Sequence, residues 1–229
     1  FDSCPASFMA ANSLGNEYKR RGDLSNAEFY YRKAIELSPD YAEAYVNLGS
    51  VLGLKKNYPD AEMSYKKAIG LRPSLAKAYS GLGIIYMWQG KFQEAEFFFK
   101  KAIELDGTLV GAYYFLAGIY EKEERLSDAM AMYEKVLEFD PSNSEVLNNL
   151  GLIASRRGDY TRAIGYFRRL TQSAPRFPDG WVNMGNVYFI KKEYQNARFC
   201  YQQALKIKPD LYVARSNLER IEKQGLVWR

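Results

Sequence analysis

Asn47, Asn149, Asn183 and Asn217 stand apart by multiples of 34 residues. Each carboxamide offers donors and an acceptor, so one side chain can meet both the N–H and the C=O of an extended peptide. A ladder of such side chains reads a backbone rather than a sequence. That is recognition chemistry, and the residue types for catalysis are missing beside it. The 229-residue chain has no histidine, which removes the commonest general base, nucleophile-activating partner and zinc ligand. It carries no phosphate-binding glycine loop and no Gly-x-Ser-x-Gly elbow. The adjacent Glu123 and Glu124 read as a solvated helix end. Cys4 and Cys200 form neither metal spacing nor a disulfide framework, and Cys200, between Phe199 and Tyr201, is expected to pack rather than react. The expectation is a non-enzymatic chain with no cofactor and no metal.

Asparagine is a mediocre helix-interior residue, because its amide competes for backbone hydrogen bonds. The elements that hold it are set by the 34-residue period. Alanine recurs at Ala27, Ala61, Ala95, Ala129, Ala163 and Ala197. A second column runs Gly15, Gly49, Gly83, Ala117, Gly151, Gly185, and a third runs Tyr31, Tyr65, Phe99, Tyr133, Phe167, Tyr201. Small residues mark where two helices cross closely, and the aromatic column fills the space beside them. Pro39, Pro73, Pro141, Pro175 and Pro209 end the second helix of each unit, with Gly107 in the same column. Gly22, Gly90 and Gly158 fall midway, where a left-handed cap would end the first helix. Pro5, Pro59 and Pro178 fall where helices should begin. None of the eight prolines interrupts a proposed helix, so the array is all-α.

The second unit, "AEAYVNLGSVLGLKKNYPDAEMSYKKAIGLRPSL", places Leu48, Gly49, Ala61, Tyr65, Ala68 and Pro73 on columns that resemble the tetratricopeptide repeat (TPR) family. The resemblance implies a right-handed α-solenoid of stacked antiparallel helix pairs, its first helices lining a concave groove. Six repeats are expected at 8–41, 42–75, 76–109, 110–143, 144–177 and 178–211. Residues 1–7 form an extension, and 212–229 form a capping helix to about Gln224, a cap at Gly225 and a tail.

By the same resemblance, groove-facing positions include Asn16, Asn47, Lys77, Ile84, Met87, Trp88, Tyr114, Phe115, Asn149, Asn183, Asn186 and Asn217. The asparagine column is similar to one in the TPR region of O-linked N-acetylglucosamine transferases. It has two readings: contact with a ligand backbone, or a bond to a neighbouring helix. Asn16, Asn47 and Lys77 match three of five positions of the family's carboxylate clamp. The other two, Asn12 and Gly81, lack the basic groups a terminal carboxylate needs, so a true clamp is not expected. Ile84, Met87, Trp88, Tyr114 and Phe115 form an apolar centre beside Gly81, Gly111 and Gly118. Aromatic anchors in a concave site are the usual energetic core of an interface. The alternative for Trp88 is packing between repeats.

Residues 110–143 carry three basic and seven acidic groups, whereas residues 144–229 carry fifteen basic and seven acidic. Such a contrast would orient a charged partner or let copies associate acidic middle to basic end. The expected partner is another protein, presenting an extended or helical peptide. Nucleic acid is not expected, since the net charge is only +5 and no reading motif is present. No apolar run approaches the roughly 20 residues of a membrane span. The first residues, "FDSCPAS", show no signal peptide and begin without Met, as a trimmed N-terminus would. Cytoplasmic location is favoured over periplasmic or other exported locations. The rival functional reading is the substrate-recruiting arm of a larger enzyme such as a glycosyltransferase.

Overall fold

Each helix in the chain begins and ends where its sequence changes backbone preference. The computed structural model describes residues 5–223. Cys4 and the expected helix end and cap at Gln224 and Gly225 lie outside the described residues. Thirteen helices occupy the described residues: α1 (Pro5–Arg20), α2 (Leu24–Leu37), α3 (Ala42–Leu54), α4 (Tyr58–Leu71), α5 (Ala76–Trp88), α6 (Phe92–Leu105) and α7 (Val110–Lys122), then α8 (Leu126–Phe139), α9 (Ser144–Arg156), α10 (Tyr160–Ser173), α11 (Pro178–Ile190), α12 (Tyr194–Ile207) and α13 (Tyr212–Lys223). Pro59 and Pro178 sit in the first turn of α4 and α11, where a missing N–H costs nothing. Asp23, Asn143 and Asp159 cap α2, α9 and α10 by accepting from the backbone N–H three residues on.

The turn inside each pair is left-handed. Gly22, Gly90 and Gly158 have φ of 81°, 76° and 77°. Lys56, Glu124 and Lys192 occupy the same column with φ of 61°, 58° and 63°, a conformation that disfavours a Cβ. Asp23 N–H donates to the Tyr18 carbonyl at 2.9 Å and Gly22 N–H to Lys19 at 3.0 Å. This is the paired bond pattern that closes a helix end on a left-handed residue.

The chain divides into two compact units between Arg125 and Leu126. In the first, α1 to α7 pack in chain order, and α1, α3, α5 and α7 also touch successively. In the second, α8 to α13 pack in chain order, and α11 rests on α9. First helices therefore share one face of each unit: the fold is an all-α solenoid of helix pairs. A Cβ on Gly15, Gly83, Gly151 or Gly185 would come within 2.5 to 2.8 Å of the ring of Tyr31, Phe99, Phe167 or Tyr201, and on Gly49 within 3.0 Å of Tyr65. Those contacts explain the paired columns: the ring occupies the volume the missing side chain vacates. Tyr31, Phe99, Phe167 and Tyr201 are wholly buried, each contributing roughly 1.5–3 kcal/mol by removal from water.

Candidate functional site on the first helices

A buried tyrosine hydroxyl needs a partner, and this requirement accounts for Asn16, Asn149, Asn186 and Asn217. In the first unit, Tyr31 Oη donates to Asn16 Oδ1 at 2.8 Å, while burial pushes its phenol up to about 12. Tyr65 is served by Ser50, with burial again raising the phenol pKa. Ser50 Oγ also accepts from Lys19 Nζ at 2.7 Å, and desolvation holds that ammonium below its ordinary pKa. Asn47 Nδ2 donates to Asn12 Oδ1 at 2.9 Å, and Asn12 is buried. In the second unit, Tyr201 Oη donates to Asn186 Oδ1 at 2.8 Å. Asn217 Nδ2 reaches Asn186 Oδ1 at 3.1 Å and Tyr201 Oη at 3.4 Å. Asn149 Nδ2 donates to Tyr133 Oη at 3.2 Å, and Asn183 Nδ2 donates to Asn148 Oδ1 at 3.0 Å. The ladder thus bonds to its own scaffold, with Asn12 and Asn148 as partners that the 34-residue column does not reveal.

The same logic explains the departures from asparagine. Phe115 stands in that column, and its ring stacks on Phe99 at 5.8 Å with an interplanar angle of 21°. Phe99 has no hydroxyl to satisfy, so an apolar neighbour suits it. Gly81 is also in the column, and a Cβ there would fall 2.2 Å from the Tyr65 ring. Gly81 is therefore closed by Tyr65 and leaves no room for an anchor, contrary to the sequence expectation. Gly111 and Gly118 do have open space around their Cβ positions.

The apolar centre lies on α5 and α7. Trp88 is 44% exposed, yet one edge packs on Tyr58 at 6.2 Å between centroids and close to Gly53. It combines inter-repeat packing with an open face. Ile84, Met87 and Tyr114 are half-buried, and Tyr114 meets Phe115 edge to face at 5.8 Å. Lys77 is exposed, and its charge adds to the Thr108 hydrogen bonds that hold the Asp106 carboxyl low. Cys200 is buried and free, its thiol pushed up to about 12 by desolvation, which suppresses the reactive thiolate. Among the described residues no helix is long and apolar enough to cross a membrane.

Repeated helix pairs whose first helices share one face within each unit define a class: an α-helical repeat scaffold. Sequence models of the tetratricopeptide repeat match residues 15–56, 42–75, 76–109, 110–143, 132–165 and 178–211. The chain belongs to the tetratricopeptide repeat family, whose repeats are protein-interaction modules. It is 32% identical over 62 residues to the human protein O-mannosyl-transferase TMTC1, which covers 27% of this chain and 7% of that one. It is 28% identical over 83 residues to the photosystem I assembly protein Ycf3 of Cyanophora paradoxa, covering 30% and 48%. The match thus spans less than half the length of either curated relative. Among solved structures, YrrB, a TPR protein with an unusual peptide-binding site, is 26% identical with a TM-score of 0.70, covering 81% of this chain and 96% of its own.

Proposed function

We propose that this protein is a non-enzymatic interaction scaffold of six repeats, 8–41 to 178–211, with a capping helix, and that it holds a peptide segment of another protein against its first helices. The observation that carries this reading is the partly uncovered apolar row on α5 and α7. Trp88 keeps nearly half its surface in water, with Ile84 and Met87 on the same helix, Tyr114 and Phe115 on α7, and open space at Gly111 and Gly118. An aromatic anchor flanked by room is how an interface gains most of its energy. Asn47 and Asn183 spend one amide N–H on their neighbours, which leaves a carbonyl and a second N–H for a peptide backbone. The peptide-binding character of YrrB supports the assignment. Asn16, Asn149, Asn186 and Asn217, committed to tyrosine hydroxyls, orient the face, and Lys77 supplies a cation at its edge.

The experiment selects peptides from a displayed random library on the whole chain, then measures their affinity for Trp88→Ala and Asn47→Ala. Weaker binding in both is the expected result, and unchanged binding in both would sink the groove. A second reading, the recruiting arm of a larger enzyme, draws on the similarity to TMTC1. Co-purification of the chain with a separate catalytic polypeptide would favour it.

A further inference from the structure

The second helices of the first three repeats share a charge pairing that the later ones lack, the glutamate column continuing as Met130, Ile164 and Arg198. Glu28, Glu62 and Glu96 share a column, and each accepts from the base four residues on: Arg32 at 2.8 Å, Lys66 at 2.6 Å and Lys100 at 2.7 Å. In the fifth pair the glutamate position holds Ile164, which is buried. Its base, Arg168, is kept but finds no acceptor for its guanidinium among the described residues.

A second column holds a ring at Tyr30, Phe98 and Tyr166 and none at Ser64, Met132 and Cys200. Tyr30 stacks on Tyr18 and Phe98 on Tyr86, both at 5.3 Å and 7°. In α12 the equivalent of Tyr30 and Phe98 is Cys200, so the Tyr188 ring has no stacking partner among the described residues. The vacated space is a cleft of about 350 Å³, lined by Arg168, Trp181, Met184, Tyr188, Phe199 and Cys200. A hollow of about 320 Å³ adjoins it and shares Arg168 and Tyr188.

The first unit supplies a matched contrast. Ser64 stands in the Cys200 column, and a cleft of about 470 Å³ opens beside it with Arg32 on its wall. Arg32 is exactly four repeats before Arg168 but is neutralised by Glu28. Of these two clefts, the one in the second unit combines a vacant ring site with a cation that is unpaired among the described residues. It also lies in the stretch where basic residues outnumber acidic ones fifteen to seven.

We propose that the cleft between α10, α11 and α12 docks an acidic segment of a partner protein, whose aromatic side chain stacks on Tyr188 while a carboxylate pairs with Arg168. Both requirements are read from what the second and third repeats place at the equivalent spot: the Phe98 ring on Tyr86 and the Glu62 carboxylate on Lys66. A carboxylate on a guanidinium forms the strong, planar type of charge-assisted hydrogen bond, and the basic surroundings favour an acidic segment over a neutral one. This surface is distinct from the first-helix face and does not depend on it.

The test uses the whole chain and a fluorescein-labelled peptide, acetyl-Glu-Asp-Phe-Asp-Glu-amide, read by anisotropy. Saturable binding is expected, with Arg168→Glu weakening it at least about tenfold. Cys200→Phe, which restores the missing ring, and Ile164→Glu, which restores the missing carboxylate, should weaken it as well. Ser64→Phe and Trp88→Ala should leave it unchanged. Arg168→Glu alters an exposed side chain, so its result stands even where a core variant fails to fold. Absence of saturable binding, full affinity in Arg168→Glu, equal affinity for a peptide with lysine in place of each acid, or loss of binding in Trp88→Ala would each overturn the proposal.

Discussion

Gly151 and Gly165 differ only in what surrounds them, and the same substitution should move stability in opposite directions. A Cβ on Gly151 would sit 2.5 Å from Phe167 Cε1 and 2.6 Å from Cζ. Carbon atoms settle about 3.5–4.0 Å apart, so the overlap is about 1 Å. The Phe167 ring is wholly buried and cannot swing aside without opening a void. Overpacking of this kind costs about 1–3 kcal/mol, against a helix-propensity gain of about 1 kcal/mol for replacing glycine. Gly151→Ala should therefore destabilise by up to about 2 kcal/mol. Gly165, in α10, has nothing within 4 Å of its Cβ position, so Gly165→Ala should stabilise by about 0.8–1 kcal/mol. Urea unfolding followed by circular dichroism measures both. Because the sites share one unit, any departure of a repeat array from two-state melting affects them alike. Phe167→Leu in the Gly151→Ala background should cost less than Phe167→Leu alone. Ala117 occupies the Gly151 column once, so the cost lies in the close ring, not in a rule that the column be glycine. A Gly151→Ala variant as stable as Gly165→Ala would refute the large-into-small account.

The left-handed turns give a second stability test. Lys56→Gly and Lys192→Gly, at φ of 61° and 63°, should each raise the unfolding midpoint by the equivalent of about 0.5–1 kcal/mol, whereas Gly90→Ala should lower it. Glu96 supplies a pH test. Burial opposes its charge, but hydrogen bonds from Arg125, Lys100 and Tyr120 outweigh burial and hold its carboxyl at about 2, below the ordinary 4.5. A depressed carboxyl stabilises the fold above its unfolded pKa, and that contribution is lost as pH falls from about 4.5 to about 2. Thermal melts across that range should lose this slope in Glu96→Gln. In a Cys4→Ser background, Cys200 should resist iodoacetamide at neutral pH and react once urea unfolds the chain, because its thiol sits at about 12. Should copies associate acidic middle to basic end, light scattering will show a mass that falls as salt rises.

The packing was legible in the sequence because it repeats in place. Ring and glycine meet within five of the pairs, so one period displays the contact five times and a column of types reveals it. The alternation of left-handed turns was half legible: glycine announces a positive φ at Gly22, Gly90 and Gly158, while Lys56, Glu124 and Lys192 adopt it without announcing it. They do so because the helix-closing bonds on either side fix the turn regardless of the residue.

The asparagine column was legible as a column and not as a set of bonds. Asn47 pairs with Asn12 and Asn183 with Asn148, each 35 residues away, while Asn217 pairs with Asn186 at a separation of 31. Neither offset is the period, because the bonds run between first helices of adjacent repeats rather than along one column. The telling pattern joins two columns. Asn16, Ser50 and Asn186 are polar where the ring is Tyr31, Tyr65 or Tyr201, whereas Ile84 and Leu152 are apolar where it is Phe99 or Phe167. In five of the six repeats polarity on the first-helix face follows the presence of a buried hydroxyl on the second helix; the exception is Gly118 in the fourth, where the Tyr133 hydroxyl is met by Asn149 of the next repeat. Phe115 over Phe99 follows the same logic, whereas Asn183, in the repeat after Phe167, bonds to Asn148 instead. A residue at this face can therefore be assigned to a ligand only after its hydroxyl has been accounted for. By that standard Asn47 and Asn183, which bond to asparagines rather than to tyrosines, are the two on which the proposed contact with a peptide backbone rests.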